Sequence, residues 1–398
     1  MNVVVAALSA PTHLNGVSRH AIGLVRALLS TRAVTNVHLL AGAWQKQMFQ
    51  PAFEGVDARF HAHWIPLRDA NISRLFWYFH ELPSIAAQLE AEVVHLTYPV
   101  PITARPFHCP VVLSVHDLYP FDIPENFGFF KSAVARHTVR QCIRRVDAIA
   151  CVSASTRTQL ELWFPVAVGK ATIVPNVVDL NQVTGIASRT ESLKGQKFIL
   201  CVAQHRPNKN VPLAIRIFDR LVRDAILPSE TRLLVVGIPG PDTKKIQSQI
   251  LDSGLTGRVL LSSGLTDAEL KWCYQNCAVL LAPSQIEGFG LPVAEGMLAG
   301  CRIVCSDIPA FREIGGDRCR FVAWGGDLVV SYAGAIREEL ALPRPCIRQV
   351  TPLSSVSVGR QYLNVYESLL CAPISGFDRL RQPERVIEDA NPLGSRST

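Results

Sequence analysis

The sequence predicts an α/β protein built from two doubly wound parallel sheets, and three observations lead there. Short apolar runs alternate with helix-period segments along almost the whole chain, the pattern of parallel strands joined by crossover helices. The alternation stops once, in the polar stretch from Val178 to about Gly195, and restarts at Lys197-Phe-Ile-Leu-Cys-Val-Ala203. The chain has 398 residues, 48% hydrophobic and 18% charged, enough for two buried cores.

Val3–Leu8 reads as the first strand. Val17–Leu29 follows as a helix, with Val17, Ala21, Leu24, Val25 and Leu28 at helical spacing. Val37–Leu40, Glu92–Leu96 and Val111–Val115 are strands, Phe130–Arg145 a helix, and Ala148–Val152 and Thr172–Val174 short strands. After the restart, a helix runs from Val211 to about Val222 with Asn210 as its N-cap. Strands at Arg232–Gly237 and Val259–Leu261 precede a helix at Asp267–Cys277. Val279–Ala282 is a strand, Pro292–Ala299 a helix, and Arg302–Cys305 a strand. Ser357–Leu370 has helical spacing at Val358, Tyr362, Val365, Tyr366 and Leu369. The expected units are 1–180 and 196–356, with 376–398 as an extended or disordered tail.

Composition narrows the function. There is no run of eighteen apolar residues, so no transmembrane helix is expected. The start, Met1-Asn-Val-Val-Val-Ala-Ala-Leu8, reads as a strand and not as a signal peptide. Eleven cysteines without a framework are expected to be reduced structural thiols of a cytoplasmic protein. The net charge of +7 suits an anionic substrate or an anionic membrane face. No arginine-aromatic motif, zinc signature or basic run points to nucleic acid.

The densest chemistry lies in Glu287-Gly-Phe-Gly-Leu-Pro-Val-Ala-Glu295, after the strand end Leu280-Leu-Ala-Pro-Ser284. Pro292 suits a first helical turn and Gly300 a left-handed helix end. Gly288 and Gly290 let the backbone approach a ligand, and free N–H groups at a helix start attract phosphate. Carboxylates before and inside that helix suit a molecule with a central diphosphate and a hydroxyl-rich ring at each end, such as a nucleotide-sugar. The plainer alternative is that Glu295 is an ordinary carboxylate near a helix start.

Other candidates fall at strand ends, where open α/β sheets bind ligands. The loop Ser9-Ala-Pro-Thr-His-Leu-Asn-Gly16 lacks G-x-G-x-x-G, so a nicotinamide or flavin site is not expected, but Gly16 leaves room for a phosphate or a sugar. His116, in Ser114-Val-His116-Asp117, would hydrogen-bond a sugar hydroxyl or a developing charge, with Asp117 orienting it or starting the next turn. Arg206 and Lys209, in Gln204-His-Arg206-Pro-Asn-Lys209-Asn210, are two cations near a helix start, a place for a diphosphate. Each segment reads otherwise as a plain turn, a satisfied loop histidine or a solvated charged loop. No aspartates stand at D-x-D spacing, so a diphosphate held by cations and amides is expected, with no metal.

Taken together, these residues resemble the retaining glycosyltransferases of family 4, whose GT-B fold sets two Rossmann-like domains face to face. The resemblance runs from Val3 to about Leu370 and is most specific in the E-x7-E spacing of Glu287 and Glu295, with Pro283-Ser284 upstream. Ser306, Glu313, Val235-Val-Gly237 and Val174-Pro-Asn176 also match. The chain departs from the family at Ala203 (often Gly), at Val177 in Pro175-Asn176-Val177 (often Gly), and at Asn208 (often Arg), where Arg206 would substitute.

The resemblance implies that Glu287 contacts the transferred sugar and Glu295 the nucleotide ribose. Phe289, Gly290 and Leu291 would offer backbone amides to sugar and phosphate. Arg206 and Lys209, beside Asn210, would hold the diphosphate, His116 would sit by the reacting sugar, and Gly16 would lie near the donor phosphates. The last helix, about 357–375, would cross back to the first domain. The implied activity is metal-independent transfer of a hexose, from GDP-mannose or a UDP-sugar, to a saccharide or lipid-linked saccharide acceptor. No cofactor beyond that donor is implied. The alternatives are a nucleotide-sugar epimerase or hydrolase on the same fold, and a non-catalytic carbohydrate-binding relative. Lys131, Arg136, His137, Arg140, Arg144 and Arg145, with the aromatic cluster Ser73-Arg-Leu-Phe-Trp-Tyr-Phe79, read either as a peripheral contact with an anionic membrane or as a solvated face over a core cluster.

Overall fold

The computed structural model describes residues 1–67, 72–102, 107–123, 129–180, 190, 193–346 and 353–371, with the side chains of 129–131 excepted. Most of the expected linker, the expected tail and the Lys131 side chain therefore lie outside the described residues.

The first half runs β1 (Asn2–Ala6), α1 (Gly16–Leu29), β2 (Asn36–Gly42), α2 (Lys46–Phe49), β3 (Phe60–Ile65), α3 (Ile72–His80), α4 (Leu82–Gln88), β4 (Val93–Leu96), β5 (Val111–Val115), α5 (Tyr119–Asp122), α6 (Phe129–Arg145), β6 (Ala148–Cys151), α7 (Ala154–Trp163) and β7 (Ala171–Ile173). The second runs β8 (Phe198–Val202), α8 (Val211–Arg223), β9 (Arg232–Val236), α9 (Thr243–Asp252), β10 (Val259–Ser262), α10 (Asp267–Asn276), β11 (Val279–Ala282), α11 (Leu291–Leu298), β12 (Ile303–Ser306), α12 (Pro309–Gly315), β13 (Arg320–Val322) and α13 (Leu328–Ala341), and ends in α14 (Ser355–Cys371).

Two parallel sheets result, ordered β3-β2-β1-β4-β5-β6-β7 and β10-β9-β8-β11-β12-β13. Their central strands are almost wholly apolar, with His95 and Ser114 among the exceptions, because helices cover both faces. Val3 and Val5 point into one core, Val4 and Ala6 into the other, as the two-residue period of a strand requires. Strand order reverses between β1 and β4, and again between β8 and β11. Such reversals open a crevice at the carboxyl ends of the strands. The loops holding Gly16, Lys209 and Glu287 leave from those strands, and His116 leaves from β5, next to β4.

Helix α14 returns to the first sheet. Val358, Tyr362, Val365 and Tyr366 are buried against Leu24 and Leu28 of α1, so the last helix crosses back as the resemblance implied.

The sequence reading missed β3, an edge strand, because Phe-His-Ala-His-Trp-Ile is partly exposed at every residue and has no apolar side. Asn210 occupies the N-cap position of α8, as expected, but not in the usual manner. Asn210 is left-handed (φ 51°, ψ 40°) and its side chain makes no cap bond. Pro212, at the second helical position, removes one of the N–H groups that such a cap would satisfy.

The basic helix and the aromatic cluster are only partly surface features. Arg136 donates from Nε to the Pro120 carbonyl at 2.7 Å, and its guanidinium and that of Arg140 lie over the Phe121 ring. Arg145 donates to the Ile102 carbonyl at 2.6 Å. Trp77 and Tyr78 are core residues, whereas Ile72, Leu75 and Phe76 are exposed.

Candidate active site between the two sheets

The loop after β11 reverses through Gly290, whose φ of 95° suits glycine and opens α11 directly. A Cβ there would lie 2.8 Å from the Phe311 ring. Just before this turn, the Glu287 side chain is 7% exposed and that of Lys209 17%. Lys209 Nζ lies 2.6 Å from both Glu287 oxygens. Ser284 Oγ donates to Oε1 at 2.8 Å, and the Tyr119 hydroxyl, from the first sheet's side, reaches Oε2 at 3.5 Å. A carboxylate taken so far from water is stable only when paired and hydrogen-bonded, and the loop after β8 supplies the pairing.

Glu295 sits one turn into α11 and accepts from the Tyr274 hydroxyl at 2.7 Å. Burial raises its pKa, opposed by the charge of Arg19 and by that hydrogen bond. Arg19, on α1, donates across the cleft to Asp267 at 2.7 Å. Gly16 begins α1 behind an Asn15–Ser18 capping box, and a Cβ on Gly16 would meet nothing within 4 Å.

The two sheets touch most closely at Gly288. A Cβ there would lie 1.6 Å from the His116 carbonyl oxygen. The Gly288 carbonyl accepts from Ser153 Oγ at 2.5 Å and from Thr156 Oγ1 at 3.0 Å. Beside it, Glu313 accepts from the Ala154 and Ser155 amides at 2.8 and 3.2 Å. Its carboxylate thus meets the positive end of α7.

His116 donates from Nε2 to the Thr97 carbonyl at 2.8 Å, which makes Nδ1 its lone-pair nitrogen. Burial lowers its pKa, so it is neutral near pH 7. Strand alternation puts Ser114 on the same face, within a buried chain of polar contacts. His20 Nδ1 lies 2.7 Å from Asn176 Oδ1 and its Nε2 2.8 Å from Ser114 Oγ. His95 Nε2 lies 2.8 Å from the same Oγ, and its Nδ1 2.6 Å from the Tyr366 hydroxyl.

Proton order along this chain follows from the acceptor at its end. Asn176 Oδ1 takes the Nδ1 proton of His20, so Ser114 donates to His20 Nε2. Ser114 then accepts from His95 Nε2, and Tyr366 donates to His95 Nδ1. Both imidazoles are neutral in this order. Burial lowers the pKa of each, that of His95 to about 3. The His20 ring packs edge-on against His116 at 4.5 Å.

The structure therefore brings Glu287, Lys209, His116 and the Gly290 turn together. Glu295 lies deeper, beside Tyr274. Arg206 is exposed, and its charge draws down the pKa values of Asp117 and Tyr119, which burial raises. Phe289 is buried against Val152 and Leu353, Leu291 is half-buried, and Asn210 shapes the turn before α8. Sequence reasoning missed Arg19, His20, Tyr119, Ser153, Thr156 and Tyr274. Tyr119, three residues past His116, and Ser153, two residues past the end of β6, carried a signal in the form of their position at a strand end. Among the described residues, no group of three or more His, Cys, Asp or Glu is placed to hold a metal ion.

Comparison with known proteins bears on the family and the fold. A family model described as "Glycosyltransferase Family 4" matches residues 14–182, and one described as "Glycosyl transferases group 1" matches residues 186–324. The chain is 23% identical over 203 residues to the O-antigen chain mannosyltransferase RfbU of Salmonella typhimurium, covering 51% of this chain and 53% of that protein. It is 28% identical over 208 residues to the lipopolysaccharide core biosynthesis mannosyltransferase LpcC of Rhizobium leguminosarum, covering 48% and 54%. These matches span about half the length of the curated relatives. Anabaena Alr3699/HepE, solved in complex with UDP and glucose, aligns over 92% of this chain and 99% of its own at a TM-score of 0.68 and 15% identity. The last comparison bears on the fold alone: two Rossmann-like sheets in the GT-B arrangement. Both halves are matched by glycosyltransferase models across a site built at their facing switch points, and the chain belongs to the family 4 glycosyltransferases.

Proposed function

We propose that the chain transfers a hexose from a nucleoside-diphosphate sugar to a saccharide hydroxyl, with retention of anomeric configuration, in the synthesis of a cell-surface polysaccharide or lipopolysaccharide. The observation that carries this reading is the Lys209–Glu287 pair at 2.6 Å, directly before the turn through Gly290 and the point where Gly288 meets the His116 carbonyl. Relatives named as mannosyltransferases support a mannose donor such as GDP-mannose. A structural neighbour solved with UDP and glucose keeps a UDP-sugar open.

Each residue then has a task. An incoming diphosphate competes with Glu287 for Lys209, which releases the Glu287 carboxylate to accept from sugar hydroxyls. Lys209, Arg206 and the backbone amides of Phe289, Gly290 and Leu291 stabilise the charge that grows on the departing diphosphate. Glu295, near the deep end of the cleft, accepts from the ribose. His116 offers its Nδ1 lone pair to the sugar. The acceptor hydroxyl attacks on the face the diphosphate leaves and gives it its proton.

The proposal extends to a lipid-linked acceptor reached from the cytoplasmic face of an anionic membrane, supported by the exposed Ile72, Leu75 and Phe76 of α3 and the net charge of +7. Among the described residues, no helix is long and apolar enough to cross a membrane. Sedimentation with anionic liposomes that Phe76→Ser leaves unchanged would remove this part.

The whole proposal is tested by nucleoside diphosphate release from GDP-mannose and UDP-sugars, with and without saccharide acceptors. Acceptor-dependent release supports transfer. Release that ignores acceptors indicates a hydrolase, and no release indicates a binding relative.

A further inference from the structure

Glu287 also forms part of a second space. Between α5, α7 and the loop before Glu287 lies a cavity of about 210 Å³. Its polar lining includes Asp117, Tyr119, Asp122, Gln159, Gln285 and Glu287, with Ser155 and Thr156 from the start of α7. Glu295, Arg19, Tyr274 and Gly16 do not reach it, so of the residues given donor roles only the one assigned to the transferred sugar borders it. Its volume falls below the ~300–1,000 Å³ of sites for larger ligands, which suits one ring and not a nucleotide.

The chemistry of the lining is selective. The Asp117 carboxyl accepts from the Tyr119 amide through Oδ1 at 3.3 Å, and Asp122 accepts from Trp163 Nε1 through Oδ1 at 3.2 Å. Among the described residues the second oxygen of each has no hydrogen-bond partner, which leaves it for a ligand hydroxyl. Gln159 and Gln285 are exposed at the mouth and both give and take hydrogen bonds. Ile308 and Pro309 add an apolar wall. Burial raises the Asp117 pKa to about 6, a sign that a further negative charge would be poorly received there.

We infer that this cavity is the subsite for the acceptor's terminal sugar, and that it takes a neutral, hydroxyl-rich ring in preference to a phosphorylated one. The inference rests on the proposed transferase reading and adds to it the place and charge of the acceptor.

The test is saturation-transfer NMR on the full chain with methyl α-mannoside, methyl α-glucoside and methyl α-galactoside as neutral probes and mannose 6-phosphate as the anionic one. GDP and UDP are added in turn, and nucleotide binding is read separately as a thermal shift. At least one neutral glycoside is expected to bind with nucleotide present, about tenfold more tightly than mannose 6-phosphate. Asp122→Asn with Gln159→Leu should weaken that glycoside about tenfold, the worth of one hydrogen bond to a charged group, and leave the nucleotide-induced shift unchanged. Three results overturn the inference: no neutral glycoside bound beside nucleotide, equal affinity for the phosphate, or full glycoside affinity in the double variant. A nucleotide shift without any glycoside response sinks the acceptor subsite alone. Absence of a nucleotide shift sinks the transferase reading and the subsite with it.

Discussion

Replacing Gly288 by alanine should disable the protein through a single methyl group. The new Cβ would lie 1.6 Å from the His116 carbonyl oxygen, whereas real Cβ contacts stay beyond 3.0 Å. Both partners are backbone, so no side chain can turn aside and the two sheets must part. Overpacking of this kind costs roughly 1–3 kcal/mol. The hydrogen bonds from Ser153 and Thr156 to the Gly288 carbonyl are worth about 1 kcal/mol each if they are lost. Glu287 would move with its neighbour, and a displacement on the order of 1 Å at a reacting centre costs about 10²-fold in rate. The assay is kcat/KM by nucleoside diphosphate release, with Tm measured alongside. Gly16→Ala is the control, because its Cβ meets nothing within 4 Å. It should keep the wild-type Tm while raising the donor KM. Wild-type kcat/KM in Gly288→Ala would refute the close contact of the two sheets at this point.

Lys209→Met leaves the Glu287 carboxylate without its cation, a loss of about 3–5 kcal/mol for a fully buried pair and less here because Lys209 keeps some exposure. Thermal unfolding should show the deficit, a second change of Glu287→Gln should recover most of it, and neither variant should recover turnover. An unchanged Tm in Lys209→Met would contradict the pairing. Ser114→Ala breaks the imidazole chain and strands a buried His95 N–H, which costs about 1–3 kcal/mol. Its kcat should fall with donor KM unchanged, and a rise in donor KM alone would count against a role through His116. Asp117, held near pKa 6 by burial, binds its proton more tightly folded than unfolded, where the pKa is about 3.9. Its contribution to stability therefore falls as pH rises from about 4 to 6. Urea midpoints should show Asp117→Asn gaining up to about 3 kcal/mol over wild type at pH 7 and little at pH 4; an equal difference at both pH values would refute this. His95 runs the other way: with its pKa lowered to about 3, stability falls as pH drops from about 6.5 toward 3.

Legibility followed burial. Val111–Val115 and Val279–Ala282 stand where the sequence put them, because central parallel strands are apolar on both faces. The start of α11 was readable from Gly290 and Pro292, and its end from Gly300, which is indeed left-handed at φ 69°. The edge strand β3 was not readable, since partial exposure leaves it no apolar side. The cleft was legible only one wall at a time. Arg19 and Asp267 are 248 residues apart, and no local pattern announces such a pairing. The collision of Gly288 with His116 is likewise a property of two sheets docked together. Ser114 was hidden for another reason, as a single polar residue inside a strongly apolar strand.

Proton NMR of the working reaction tests the central claim most directly. Purified protein would be incubated with α-linked GDP-mannose or a UDP-sugar and a saccharide acceptor, and the new anomeric signal followed against nucleoside diphosphate release. The account predicts a product of unchanged anomeric configuration, formed in step with the diphosphate and lost in Glu287→Ala. An inverted product, or full turnover in Glu287→Ala, would contradict it.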